Sequence, residues 1–116
     1  MNPIYDREGQ VVGWKNDDNI YDLDGSHAAL RNKANVYGPS GEHLGMLIEG
    51  FFRDHSGDAV AFIAGAIGGP ILPIPSTPPI PPIPSTPPIP AKPSIAPIPA
   101  IPSLDWGVSW KEFITT

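Results

Sequence analysis

The chain contains no cysteine. Disulfides and thiolate metal sites are therefore excluded, and the redox compartment stays open. Positive charge is scarce, with seven Lys and Arg against twelve Asp and Glu and a formal net charge of −5. That balance argues against binding nucleic acid through its phosphates. Long apolar runs are also missing. The longest without proline, Ala59 to Gly69, is about 11 residues, against the roughly 20 that a membrane helix needs. The opening MNPIYDREG has neither a basic region nor an apolar one, so no secretory signal is expected. A soluble, cytoplasmic protein without membrane or nucleic-acid partners is the expectation.

Two scarcities divide the chain. Residues 1–69 hold only Pro3 and Pro39, whereas 15 of the 17 prolines lie between Pro70 and Pro102. Residues 70–104 hold a single charged side chain, Lys92. Three segments follow: a globular unit over 1–69, a proline rod over 70–104 and an aromatic closing segment over 105–116. A unit of some 70 residues buries only about 60% of its unfolded-chain surface. It is expected to gain stability from the tail, from another copy, or from both.

Residues 4–67 stack in four blocks of 16, IYDREGQVVGWKNDDN, IYDLDGSHAALRNKAN, VYGPSGEHLGMLIEGF and FRDHSGDAVAFIAGAI. Column one is Ile4, Ile20, Val36 and Phe52; column two is Tyr5, Tyr21, Tyr37 and Arg53. Column six is always glycine, at Gly9, Gly25, Gly41 and Gly57. Column ten is always small (Gly13, Ala29, Gly45, Ala61), and column eleven is large and apolar (Trp14, Leu30, Met46, Phe62). Each block reads as a β-hairpin whose glycine takes the left-handed conformation of a bulged turn. With that turn Tyr5 faces Val11 and Ile4 faces Val12, so columns one, nine and eleven form the core face. Column ten then lies on the other face with the tyrosines, where small residues admit another backbone or a ring. Four equivalent hairpins predict an all-β, pseudo-four-fold radial array, since a linear solenoid needs capping repeats.

The rod repeats a nine-residue unit, PIPSTPPIP, twice from Pro73 to Pro90. Polyproline II has three residues per turn, so a nine-residue period does not drift around it. Every third residue from Ile71 gives Ile71, Ile74, Thr77, Ile80, Ile83, Thr86, Ile89, Lys92, Ile95, Ile98, Ile101 and Leu104. No proline falls on this row. An amphipathic polyproline II helix with one isoleucine stripe follows, and such a stripe is expected to be buried. A straight rod of this length spans roughly 105 Å, whereas a 69-residue domain is about 30 Å across. The rod must bend, near Ser76-Thr77, Ser85-Thr86 or Lys92-Pro93-Ser94, or pair with other chains. Pairing is favoured, which makes a homo-oligomer the expected state. After the rod, Ser109 and Glu112 have capping-box spacing. A short helix is expected over Trp110–Ile114, with Trp106, Trp110 and Phe113 docking on the hairpins or on a neighbour.

The repeated hairpins, the Gly68-Gly69-Pro70-Ile71 junction, the rod and the closing SLDW…WKEFI together resemble the bacterial four-fold β-flower proteins over essentially the whole chain. The resemblance implies four hairpin petals. It implies no activity and carries no site residues.

Little catalytic chemistry is evident. His27 and His43 share column eight, which supplies no third ligand for a metal, and His55 sits in a turn. Asp6, Asp22 and Asp54 in column three are expected to accept turn N–H groups. The glycines are spaced by 16 rather than clustered as in a phosphate loop. No cofactor and no enzyme activity are expected. The favoured function is a structural module that self-associates through Ile71, Ile74, Ile80, Ile83, Ile89, Ile95, Ile98, Ile101 and Leu104. The competing one is a ligand- or peptide-binding adaptor that takes a peptide, a glycan, a surface or an unknown protein partner on a face carrying Tyr5, Tyr21, Tyr37 and Arg53.

Overall fold

The structure, a computed structural model, describes residues 1–86 and 96–114. Eight antiparallel strands follow in chain order: β1 (Asn2–Tyr5), β2 (Val11–Asn16), β3 (Asn19–Asp22), β4 (His27–Asn32), β5 (Asn35–Tyr37), β6 (His43–Ile48), β7 (Phe51–Arg53) and β8 (Ala59–Phe62). Each pairs with its sequence neighbours, and β1 meets β8, so one chain closes the barrel. The closing seam is a single pairing, Tyr5 with Phe62, whose rings also stack at 5.3 Å. Cα extents of 36 × 35 × 21 Å make the molecule a disc.

The petals are the four hairpins of the 16-residue repeat. At their tips Gly9, Gly25, Gly41 and Gly57 have φ of 82–93°, the left-handed region open to glycine. Tyr5 pairs with Val11 as the turn requires, but Ile4 pairs with Gly13 and Val12 is extra. The same bulge recurs at Ala28, Leu44 and Val60. It corrects the expected pairing of Ile4 with Val12. Side chains alternate along a strand and an extra residue shifts the alternation, so column ten faces the same interior as column one.

That interior holds Ile4, Ile20, Val36 and Phe52 with Ala29, Ala61, Leu44 and Val60, and into it project Trp110 and Phe113. The two aromatics come from α1 (Trp110–Ile114). Ser109 caps the helix: its Oγ accepts from Glu112 N at 3.2 Å and donates to Glu112 Oε1 at 3.1 Å. The small tenth column makes room for this plug. A Cβ on Gly45 would lie 2.6 Å from Phe113, whereas one on Gly13 would meet Tyr21 O at 2.5 Å and lie in ordinary contact, 3.7 Å, with the Trp110 ring. Small residues do admit rings there, but the rings belong to the closing helix and not to the tyrosines.

The rod bends around the tips. Ser76 N donates to Gly9 O at 2.8 Å, Ser85 N to Gly25 O at 2.9 Å and Ser103 N to Gly57 O at 3.0 Å. The three anchors are Pro73-Ile74-Pro75-Ser76, Pro82-Ile83-Pro84-Ser85 and Ala100-Ile101-Pro102-Ser103. The unit in register between them, Ala91-Lys92-Pro93-Ser94, lies outside the described residues. Nine residues of polyproline II span about 28 Å, and a quarter of the perimeter of a 36 Å disc is also about 28 Å. One rod unit therefore reaches from one tip to the next. Tip glycines serve twice, because the rod backbone lies on them: a Cβ at Gly25 would sit 2.8 Å from Ile83 O.

Proline has no N–H, so serine marks where the rod can donate to a tip. Ser76→Pro, which keeps polyproline II geometry but deletes the donor, is expected to lower unfolding free energy by about 1 kcal/mol. Ser76→Ala, which keeps the N–H, should stay within about 0.5 kcal/mol of the natural chain. Urea unfolding of both variants checks this.

Candidate interaction surfaces

The inner row of the rod includes Pro73, Pro82 and Ala100, which are half-buried against the barrel. With that row fixed by the serine anchors, the isoleucine row faces away. Ile71, Ile74, Ile80, Ile83, Ile98 and Ile101 are 88–95% exposed, and Leu104 is 72% exposed. Ile89 and Ile95 lie outside the described residues. Within one chain the stripe is not buried; the rod bends so that its prolines touch the petals and its isoleucines form a belt on the rim.

The column-two residues are placed differently from a free binding face. Tyr5, Tyr21, Tyr37 and Arg53 are all buried. They stand on the outer wall of the barrel, each paired with a column-eleven residue: Tyr21 with Trp14, Tyr37 with Leu30, Arg53 with Met46 and Tyr5 with Phe62. Trp14 Nε1 donates to Leu23 O at 3.2 Å. The rod and tail lie over this wall. Pro97–Ala100 border a 260 Å³ cleft with Met46, His43 and His55, and Trp106 packs edge-on to Phe51 and tilted to Phe62. The backbone of Trp106 also bridges that of Ala59. Trp106, Trp110 and Phe113 are thus docked on the petals of their own chain.

Arg53 explains why the fourth petal departs from tyrosine. Its Nη1 donates to Gly57 O at 2.7 Å and Ser103 O at 2.8 Å, and its Nη2 to Gly68 O at 3.0 Å. Gly68 precedes the rod and Ser103 ends it, so one guanidinium ties both ends to the same tip. The group also stacks 5.4 Å from the Phe51 ring centre. Burial lowers its pKa, opposed by the nearby Asp58, Asp54 and Glu49 carboxylates. Sequence alone marked the position as a break in column two and placed it on a candidate binding face.

The histidines separate. His27 Nε2 meets Asn19 Oδ1 and His43 Nε2 meets Asn35 Oδ1, each at 3.0 Å, and each ring is edge-on to its petal tyrosine. His43 does not join His27. Its Nδ1 lies 3.0 Å from His55 Nε2 and the two rings stack, so the turn histidine is held against a strand. Among the described residues no three potential ligands gather into a metal site.

The chain belongs to the 4-fold beta flower protein family, whose model matches residues 2–114. No curated protein and no solved structure matches it. Among the described residues no helix is long and apolar enough to cross a membrane.

Two outcomes are expected. Arg53→Tyr, which restores the residue of the other three petals, removes the guanidinium from Ser103 O and Gly68 O, while Gly57 O keeps Ser103 N. Charged hydrogen bonds contribute about 1.5–3 kcal/mol each, so a loss of at least about 3 kcal/mol is expected in urea unfolding. The second outcome concerns pH. Burial lowers the pKa of His27, and burial followed by His55 lowers that of His43. Both are harder to protonate in the folded chain than in the unfolded one, so the unfolded chain takes up protons more readily. Their contribution is complete above the ordinary histidine value near 6.5 and is lost as pH falls through the lower folded values. Urea midpoints should drop between pH 7.5 and 5, with a shallower drop in His27→Gln.

Proposed function

We propose that the chain is a non-catalytic structural module that self-associates through its isoleucine belt. The observation that carries this reading is the exposure of six isoleucines, 88–95% each, on a rod tied to the petals at three tips. A contiguous apolar row on a soluble surface calls for a cover. The belt repeats around the rim, so any arc of one copy matches an arc of another.

Magnitudes favour several contacts over one. Burying an isoleucine contributes roughly 1.5–3 kcal/mol. Two arcs, each with a pair such as Ile80 and Ile83, remove four isoleucines from water and gain about 6–12 kcal/mol. Association costs about 4–15 kcal/mol in lost freedom. A lone arc-to-arc contact is close to balance, whereas a disc touching two or more neighbours is held. Assembly is therefore cooperative and concentration-dependent.

Threonine already occupies the row at Thr77 and Thr86, so Ile74→Thr, Ile83→Thr and Ile101→Thr together fit the rod. Sedimentation of the full chain between about 5 and 500 µM should show oligomers that this triple variant lacks, with the circular dichroism of the two chains matching. A natural chain that stays monomeric across that range, or a triple variant that assembles equally, defeats the proposal.

A further inference from the structure

The isoleucine belt is cut into arcs. The rod bends where Ser76 N meets Gly9 O and again where Ser85 N meets Gly25 O, so one side of the disc lies between the first two tips. Along that side the outward row reads Thr77, Ile80, Ile83, Thr86, the same from either end. The two isoleucines are 93% and 94% exposed, and both threonines are exposed beside them. The arc before it reads Ile71, Ile74, Thr77 and the last reads Ile98, Ile101, Leu104. Neither is symmetric in this way.

A row that reads alike in both directions complements itself. A two-fold axis normal to the disc, through the middle of the arc, sets it antiparallel to the same arc of a second copy. Isoleucine then meets isoleucine and threonine meets threonine. A slip of one turn of the rod, three residues, would set isoleucine against threonine. Identical arcs can also pair about an axis along the rod, which keeps them parallel. That arrangement forces each isoleucine head-on against its own copy. Antiparallel rods can slide by a fraction of a turn, and isoleucines about 9 Å apart on each row then interlock. No charged residue lies on the arc, but the tips at its corners carry Asp6, Arg7 and Glu8 on petal one and Asp22 and Asp24 on petal two. Their acidic excess opposes the contact at low salt and is screened at higher salt.

We propose that the arc from Thr77 to Thr86 is the primary contact between copies: two discs lie coplanar, edge to edge about a two-fold axis, with antiparallel rods sealed by Ile80 and Ile83 of each. This inference rests on the self-association reading and adds which side of the disc pairs, and in which direction. The two faces of the disc stay free.

The natural chain has no cysteine, so an introduced thiol reports its own position alone. Thr77→Cys and Thr86→Cys preserve size closely and leave the isoleucines in place. Each full-length variant, and their equimolar mixture, is sedimented while reduced and then oxidised, in about 0.3 M NaCl, where exposed tip charges are screened. In the antiparallel contact position 77 of one copy lies beside position 86 of the other, whereas like positions are nine residues, about 28 Å, apart. A disulfide needs Cα atoms within about 7 Å. The mixture should therefore yield at least fivefold more linked dimer than either variant alone. Efficient linking of each variant to itself overturns the antiparallel contact. Reduced chains that assemble, yet do not link in the mixture, overturn it by moving the contact to another arc. Both of those results leave self-association standing. Reduced chains that stay monomeric remove self-association itself, and this contact with it.

Discussion

The meeting of rod and petal tip fixes most of this molecule. Proline-rich chain has few N–H groups, so it cannot join a sheet edge or form a helix. It can dock only where a non-proline residue supplies a donor. Ser76, Ser85 and Ser103 supply one to Gly9, Gly25 and Gly57. Each of these three glycines is doubly constrained, by its left-handed backbone and by the rod carbonyl against it. Once serine faces the tip, the three-residue turn of the rod decides every other row. Pro73 and Pro82 face inward, and the row of Ile74 and Ile83 faces solvent. The outward belt is thus a consequence of the anchoring register.

A four-fold barrel served by one helix and one open-ended rod must break its own symmetry. The departures from the repeat mark where it does so. Petal four receives both rod ends, and there arginine replaces tyrosine and binds Gly68, Gly57 and Ser103 at once. Phe51 and Phe62 add the apolar seat for Trp106. In the interior the break is the single plug: Gly45 yields space to Phe113, while the volume over petals one and two remains open. Residues that fit their columns build the barrel; Arg53, which departs in type, ties both ends of the rod to the fourth petal.

The repeat made much of the fold legible. A glycine every 16 residues identified the tips, and the Ser109–Glu112 pair located α1 over Trp110–Ile114. The bulge stayed hidden because Val12, Ala28, Leu44 and Val60 are ordinary strand residues whose type carries no sign of an extra position. Missing it sent column ten to the wrong face and gave its small residues to the tyrosines. Their true neighbours, Trp110 and Phe113, lie some 65–100 positions away, beyond the reach of local pattern. The isoleucine row was legible in register but not in direction. Periodicity shows that one side of a rod differs from the others, yet only the docking shows which side meets the barrel. The turn of petal two was equally out of reach: Asp24 accepts Ser26 N there, whereas Asp6, Asp22 and Asp54 look alike until their hydrogen bonds are compared.

The three anchors found among the described residues would be too few for an ordinary chain of this length. Ordering a residue costs about 1–2 kcal/mol of backbone entropy, and a hydrogen bond returns only about 0.5–1.5 kcal/mol. Proline alters that balance, because its fixed φ removes freedom from the unfolded chain before docking begins. A stiff rod can therefore be held at its serines and at its two ends, with the residues between them spanning from tip to tip. The same stiffness prevents the rod from rolling its isoleucines onto the barrel without withdrawing the serine donors. Low entropy and sparse donors together keep the apolar row outside, so that a segment able to encircle a small barrel so economically also presents it to other molecules as an apolar rim.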